Sequence, residues 1–132
     1  MNRRGQLQFA IAGTGVAFLL AYPLMHVWPS GWAWEPHHYE YEQMIAGIYA
    51  TLGVFLLWAA RRPEEHASLI WFTVWSSVLH SVVMAVESFM DPAEVGHLFG
   101  DVPALLLVAI ALAALTPRGA SLSVSQGARR AA

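Results

Sequence analysis

Apolar positions along this chain gather into four long runs, at about 7–27, 41–60, 67–90 and 98–116, and polar residues fill the gaps between them. Each run comes close to the roughly 20 residues that a helix needs to cross a bilayer. A membrane-crossing strand would need only about 10 residues, with strict alternation of apolar and polar side chains, and none of the runs alternates. The pattern therefore predicts an all-α fold: a four-helix transmembrane bundle in antiparallel up-down-up-down order. Residues 1–117 form one membrane domain, and 118–132 form a small, polar, basic tail. The first run follows "NRRG" and continues through "LLAYPLMHV" without a small-x-small cleavage site, so it reads as an uncleaved helix. Pro23 is expected to bend it near its far end. The short connections, "RRPEEH" and 92–96, predict that helix two packs on three and three on four.

Arginine sets the orientation. Arg3 and Arg4 precede the first run, Arg61 and Arg62 lie between the second and third, and Arg118, Arg129 and Arg130 follow the fourth. Four crossings put all of these on one side and leave no basic residue on the other. Basic residues stay on the cytoplasmic face, so both termini are expected in the cytoplasm, and the chain is expected in the inner membrane of a bacterium as a multi-pass protein.

Composition narrows the class further. The chain is 57% hydrophobic and 12% charged, against roughly 25% charged in a soluble domain. A net charge of -2 gives no electrostatic case for nucleic acid. The absence of Cys and Lys removes disulfides, thiolate chemistry, Schiff bases and P-loop lysines. The partners expected are the lipid bilayer and, beyond it, a larger membrane complex or a second copy of the chain.

The acids and imidazoles are unevenly placed. "WPSGWAWEPHHYEYE", residues 28–42, falls in the first outer loop and carries three Trp, two Tyr, two His and three Glu. An interfacial aromatic belt explains the rings, but it does not explain His37, His38 and the acids. Seven of the nine acidic residues and five of the six His lie in the outer half; Glu64, Glu65 and His66 are the exceptions. At a rise of about 1.5 Å per residue, His80 stands about 20 Å above the inner end of its helix and Asp101 about 22 Å. Glu42, Glu87 and His97 stand at about 27–30 Å.

Spacing brings these residues toward one another. His80, Met84, Glu87 and Asp91 recur every three or four positions and share a helix face. His97 and Asp101 do the same on the fourth helix, and Glu42, Ala46, Tyr49 and Gly53 on the second. A charged group at the membrane centre costs at least about 2.5 kcal/mol when it faces lipid. The expected solution is an outward-facing pocket lined by His80, Asp101, Glu87, His97, Glu42, Tyr49 and Met84. Within it, His80, His97, Glu87 and Asp101 offer imidazole and carboxylate ligands to a divalent metal such as zinc or iron. The plainer alternative is interhelical hydrogen-bond glue, worth about 0.6 kcal/mol per contact.

The segments "MIAGIYATLGVFLLWAARRP" and "GHLFGDVPALLLVAIALAALTP" resemble those of small bacterial four-helix membrane proteins of unknown function, over roughly residues 40–117. The resemblance implies the topology and names no chemistry. Three functions remain in competition. One is a pocket for a metal ion or small ligand. Another is a membrane-embedded acid–base enzyme acting on a lipid or isoprenoid through His80 or Glu87. The third is a structural accessory subunit with contact sites at Ala46, Gly47 and Gly53. A proton or ion pathway ranks below these, because the inner halves hold almost no ionisable residues and Thr51, Ser76 and Ser77 are the obvious polar relays.

Overall fold

The computed structural model of the chain describes residues 2–33 and 39–117. The residues in helices are α1 (Arg3–Leu19), α2 (Ala21–Val27), α3 (Pro29–Trp32), α4 (Tyr39–Ala59), α5 (Ala67–Met90) and α6 (Asp101–Leu115). Two 3₁₀ segments, Pro63–Glu65 and Pro92–Leu98, stand in the connections before α5 and α6. No strand occurs among the described residues. Trp34, Glu35, His37 and His38, and the tail from Arg118, lie outside the described residues.

Three helical stretches are long and apolar enough to cross a membrane, and the bent pair α1–α2 makes a fourth if it is one span. The bend is 52°. Its cause is Pro23, whose ring cannot coexist with a straight helix at the carbonyl four residues earlier and which offers no N–H to it. The break falls at Leu20, whose own N–H is shared between the carbonyls of Val16 and Ala17. Large apolar side chains point outward along the helices: Phe9, Trp75, Leu107 and Ile110 are each about two-thirds or more exposed. A patch of that extent has no place in water and suits contact with lipid.

Small residues decide which helices meet. Gly15 of α1 faces Gly53 of α4, and a Cβ on Gly53 would come to 2.7 Å from the Gly15 carbonyl oxygen. Only glycine at both positions allows backbones this close. On α5, the buried stripe Ile70, Thr73, Val74, Ser77, Ser81, Met84 and Ser88 packs on α6. Ser81 Oγ donates to the Ser77 and Val102 carbonyls, so its polar atom is satisfied inside the interface. The tightest helix pairs are α1 with α4 and α5 with α6, while α4 and α5 scarcely touch through their backbones despite their short connection. Chain proximity sets which ends lie near each other; small side chains set which faces close.

One end gathers the arginines. Arg3 Nη2 donates to the carbonyl of Ala114 at 3.0 Å, Arg4 pairs with Glu64 at 2.8 Å, and Arg62 pairs with Glu65 at 3.2 Å. At the other end α3 packs on the segment Pro92–Leu98. Gly96 lies against the Ser30 carbonyl and Gly100 against the Gly31 carbonyl, so closely that any side chain at either glycine would overlap backbone. Ser88 Oγ ties this cap to α5 by donating to the carbonyls of Met84 and Glu94 at 2.8 Å each. The Asp91 carboxylate accepts from the Ala93 N–H and starts the segment.

Candidate functional site

Beneath this cap lies a partly enclosed cavity of about 80 Å³. Phe18, Met25, Ile45 and Leu105 supply its apolar surface, and Trp32, Tyr49, His80, His97 and Asp101 supply the polar side chains on its wall. The polar residues arrive from five segments. Tyr49 comes from the middle of α4, His80 from α5, Asp101 from the first turn of α6, His97 from the 3₁₀ segment and Trp32 from α3.

Four of them form a continuous chain. Tyr49 Oη lies 3.1 Å from His80 Nδ1. His80 Nε2 lies 3.2 Å from Asp101 Oδ2. The second carboxylate oxygen, Asp101 Oδ1, lies 3.0 Å from His97 Nδ1. Glu94 extends the chain: its Oε2 is 3.0 Å from His97 Nε2. That last contact has ion-pair distance but not hydrogen-bond alignment, so His97 Nε2 counts with Trp32 Nε1 as a buried nitrogen without a hydrogen-bond partner among the described residues. Ring packing supports the chain, with Phe18 edge-on to Tyr49 at a centroid distance of 4.8 Å.

Local structure explains the convergence. In the 3₁₀ segment and the first turn of α6, Glu94, His97 and Asp101 fall at spacings of three and four and stack on one side. Pro103 stands in the first turn of α6, where a missing N–H costs nothing. Asp101 sits at that same helix start, where a carboxylate suits the dipole. Its burial is made tolerable by the two imidazoles, since a buried charge needs partners.

The seven residues expected in the pocket divide. Tyr49, His80, His97 and Asp101 line the cavity. Met84 is buried at 2% exposure in the α5 stripe, outside the lining. Glu42 is buried near the start of α4, also outside the lining. Glu87 is exposed, and its helical phase explains why. At about 100° per residue, Glu87 falls some 20° from His80 on the side away from the buried stripe. His80 already sits at the edge of that stripe, so Glu87 drops off it.

Of the four residues expected as metal ligands, three gather and Glu87 stands apart. With Glu87 outside, His80 and His97 are each turned onto Asp101, and no group of three or more His, Asp or Glu among the described residues is arranged to hold a metal ion. Two members of the site were not anticipated as such, Glu94 and Trp32. The Glu-x-x-His spacing of Glu94 and His97 is a signal that the sequence does contain. Nothing in the local pattern marks Trp32, which reaches the cavity only because α3 folds back onto the cap.

A family model covers residues 3–132, nearly the whole chain. The chain belongs to DUF6632, a family of unknown function. No curated protein and no solved structure matches it. Membership in this family assigns no activity, so the function must be argued from the cavity.

Proposed function

We propose that this DUF6632 protein is a multi-pass protein of a bacterial inner membrane. It crosses four times as an antiparallel bundle with both termini cytoplasmic, and it uses the cavity in its outer half to bind a small ligand. The one-sided arginines support the orientation. The reading rests on one observation: the linked side chains of Tyr49, His80, Asp101 and His97 form a wall of an otherwise apolar cavity. Ligand sites have this make-up, mostly apolar with a few polar groups that fix orientation.

The enclosed space is small, about 80 Å³, and favours a compact ligand over a fully enclosed acyl or prenyl chain. The competing structural reading has its own support, since a polar chain joining α4, α5, α6 and the cap is also interhelical glue. The two readings separate in native mass spectrometry of the full chain released from native membranes in mild detergent. A ligand site predicts a small adduct on the wild type that is depleted in Tyr49→Phe while the variant stays folded. A wild type with no adduct, or an adduct unchanged in both Tyr49→Phe and His80→Ala, contradicts the ligand reading.

A further inference from the structure

The polar wall can be read proton by proton. His97 lies between two carboxylates, with Nδ1 3.0 Å from Asp101 and Nε2 3.0 Å from Glu94. A neutral imidazole carries one N–H and would turn a lone pair toward one of these oxygens. The imidazolium turns an N–H toward each, with hydrogen-bond alignment at Asp101 alone. His80 has Asp101 as its one acidic neighbour at this distance among the described residues, and one N–H satisfies it.

That N–H stands on Nε2, the nitrogen that faces the Asp101 carboxylate. Nδ1 of His80 is then a lone pair, so the Tyr49 hydroxyl donates to it across 3.1 Å. The consequence appears at the cavity. The Tyr49 proton is committed and its oxygen retains acceptor capacity. Both nitrogens of His80 are used, and each oxygen of Asp101 already accepts from an imidazole. Tyr49 Oη thus asks the occupant for a hydrogen-bond donor. Trp32, on the same cavity, makes the complementary request, because its buried indole N–H has no acceptor among the described residues.

We propose that the ligand is an uncharged compact molecule bearing a hydroxyl group. The hydroxyl donates to Tyr49 Oη, its oxygen is able to accept from Trp32 Nε1, and the apolar body rests on Phe18, Met25 and Leu105. A ketone or ether has no proton for Tyr49. An anion meets the Asp101 carboxylate, whose charge the His97 imidazolium only offsets, and no Arg among the described residues lines the cavity. A small amine, charged at neutral pH, must leave water for an apolar surface whose Asp101 carboxylate is already engaged. This inference rests on the ligand-binding reading above and specifies its chemistry.

The test uses the full chain in lipid nanodiscs with ¹³C-methyl methionine, following the Met25 methyl signal assigned through Met25→Leu. The probes are 2-butanol, butanone, butylammonium and butyrate. The alcohol is expected to shift the signal saturably and to bind about threefold to tenfold tighter than the ketone, the range for one neutral hydrogen bond, with the two ions weaker still. In Tyr49→Phe, which keeps the ring, the advantage of the alcohol over the ketone is expected to vanish. Butanone binding as well as 2-butanol, an ion binding best, or an advantage that persists in Tyr49→Phe overturns the hydroxyl assignment and leaves the cavity as a ligand site. No shift with any of the four probes overturns the ligand-binding reading itself.

Discussion

The two ends of the molecule hold their charges in opposite ways. At the arginine end, Arg4–Glu64 and Arg62–Glu65 are pairs between side chains that are 54–69% exposed. At the capped end, His97 is paired with Glu94 and Asp101 at side-chain exposures of 2%, 8% and 7%. The first kind of pair forms in solvent and is worth about 0–1 kcal/mol. The second kind trades desolvation against attraction and is costly to break from one side, about 3–5 kcal/mol. Charges at the arginine end stay exposed and link the helix ends there. Charges at the capped end hold segments together and shape a cavity.

The comparison breaks most sharply at Asp101. Asp101→Ala removes the acceptor shared by His80 and His97 and is expected to destabilise the protein by about 3–5 kcal/mol, read as lost thermal stability in detergent or as loss of folded protein. A result near zero would mean that the cluster is not buried as described. Next is the helix crossing that brings α4, with Tyr49, against α1. Gly53→Ala pushes a methyl into the Gly15 carbonyl and is expected to cost about 1–3 kcal/mol, whereas the same change at exposed Gly47, with open space around it, is expected to cost nothing. Equal effects at both glycines would refute the crossing.

Smaller effects sharpen the contrast. Ser88→Ala removes the donor that ties the cap to α5 and is expected to cost about 1 kcal/mol. It should also speed amide exchange in the segment Pro92–Leu98 relative to the middle of α5. Uniform exchange across both would show that the tie does not hold the cap. Smallest of all is the Arg4–Glu64 pair, whose coupling in a double-mutant cycle is expected below about 1 kcal/mol and weakened by salt. A coupling as large as that at Asp101 would erase the distinction between the ends.

The long elements were legible because lipid demands long apolar runs. The apolar run at about 67–90 falls where α5 spans Ala67–Met90, and the first run contains the break that Pro23 imposes. The polar pairing of His80 with Asp101 was legible too, since both lie at similar depth and neither tolerates lipid. The cap was not legible. Its segments are short, and what joins them is the absence of side chains at Gly96 and Gly100, which becomes informative only when Ser30 and Gly31 are placed opposite. Glu87 was misplaced for a different reason. Helical spacing fixes which residues share a face but not where the buried stripe is centred, and on α5 the serines, not the ionisable residues, lie at its centre. The connection at 92–96 was expected as a plain loop, whereas Pro92–Leu98 is a 3₁₀ segment, and its three-residue spacing sets Glu94 against His97.

Sidedness underlies the whole account, and the absence of native cysteine makes it directly measurable. Glu64→Cys and Ala93→Cys, both at exposed positions, can be treated with a membrane-impermeant maleimide in intact cells stripped of the outer membrane. The account predicts rapid labelling at position 93 and labelling at position 64 only after lysis. Labelling at position 64 in intact cells, with position 93 protected, would turn the capped end toward the cytoplasm and contradict it.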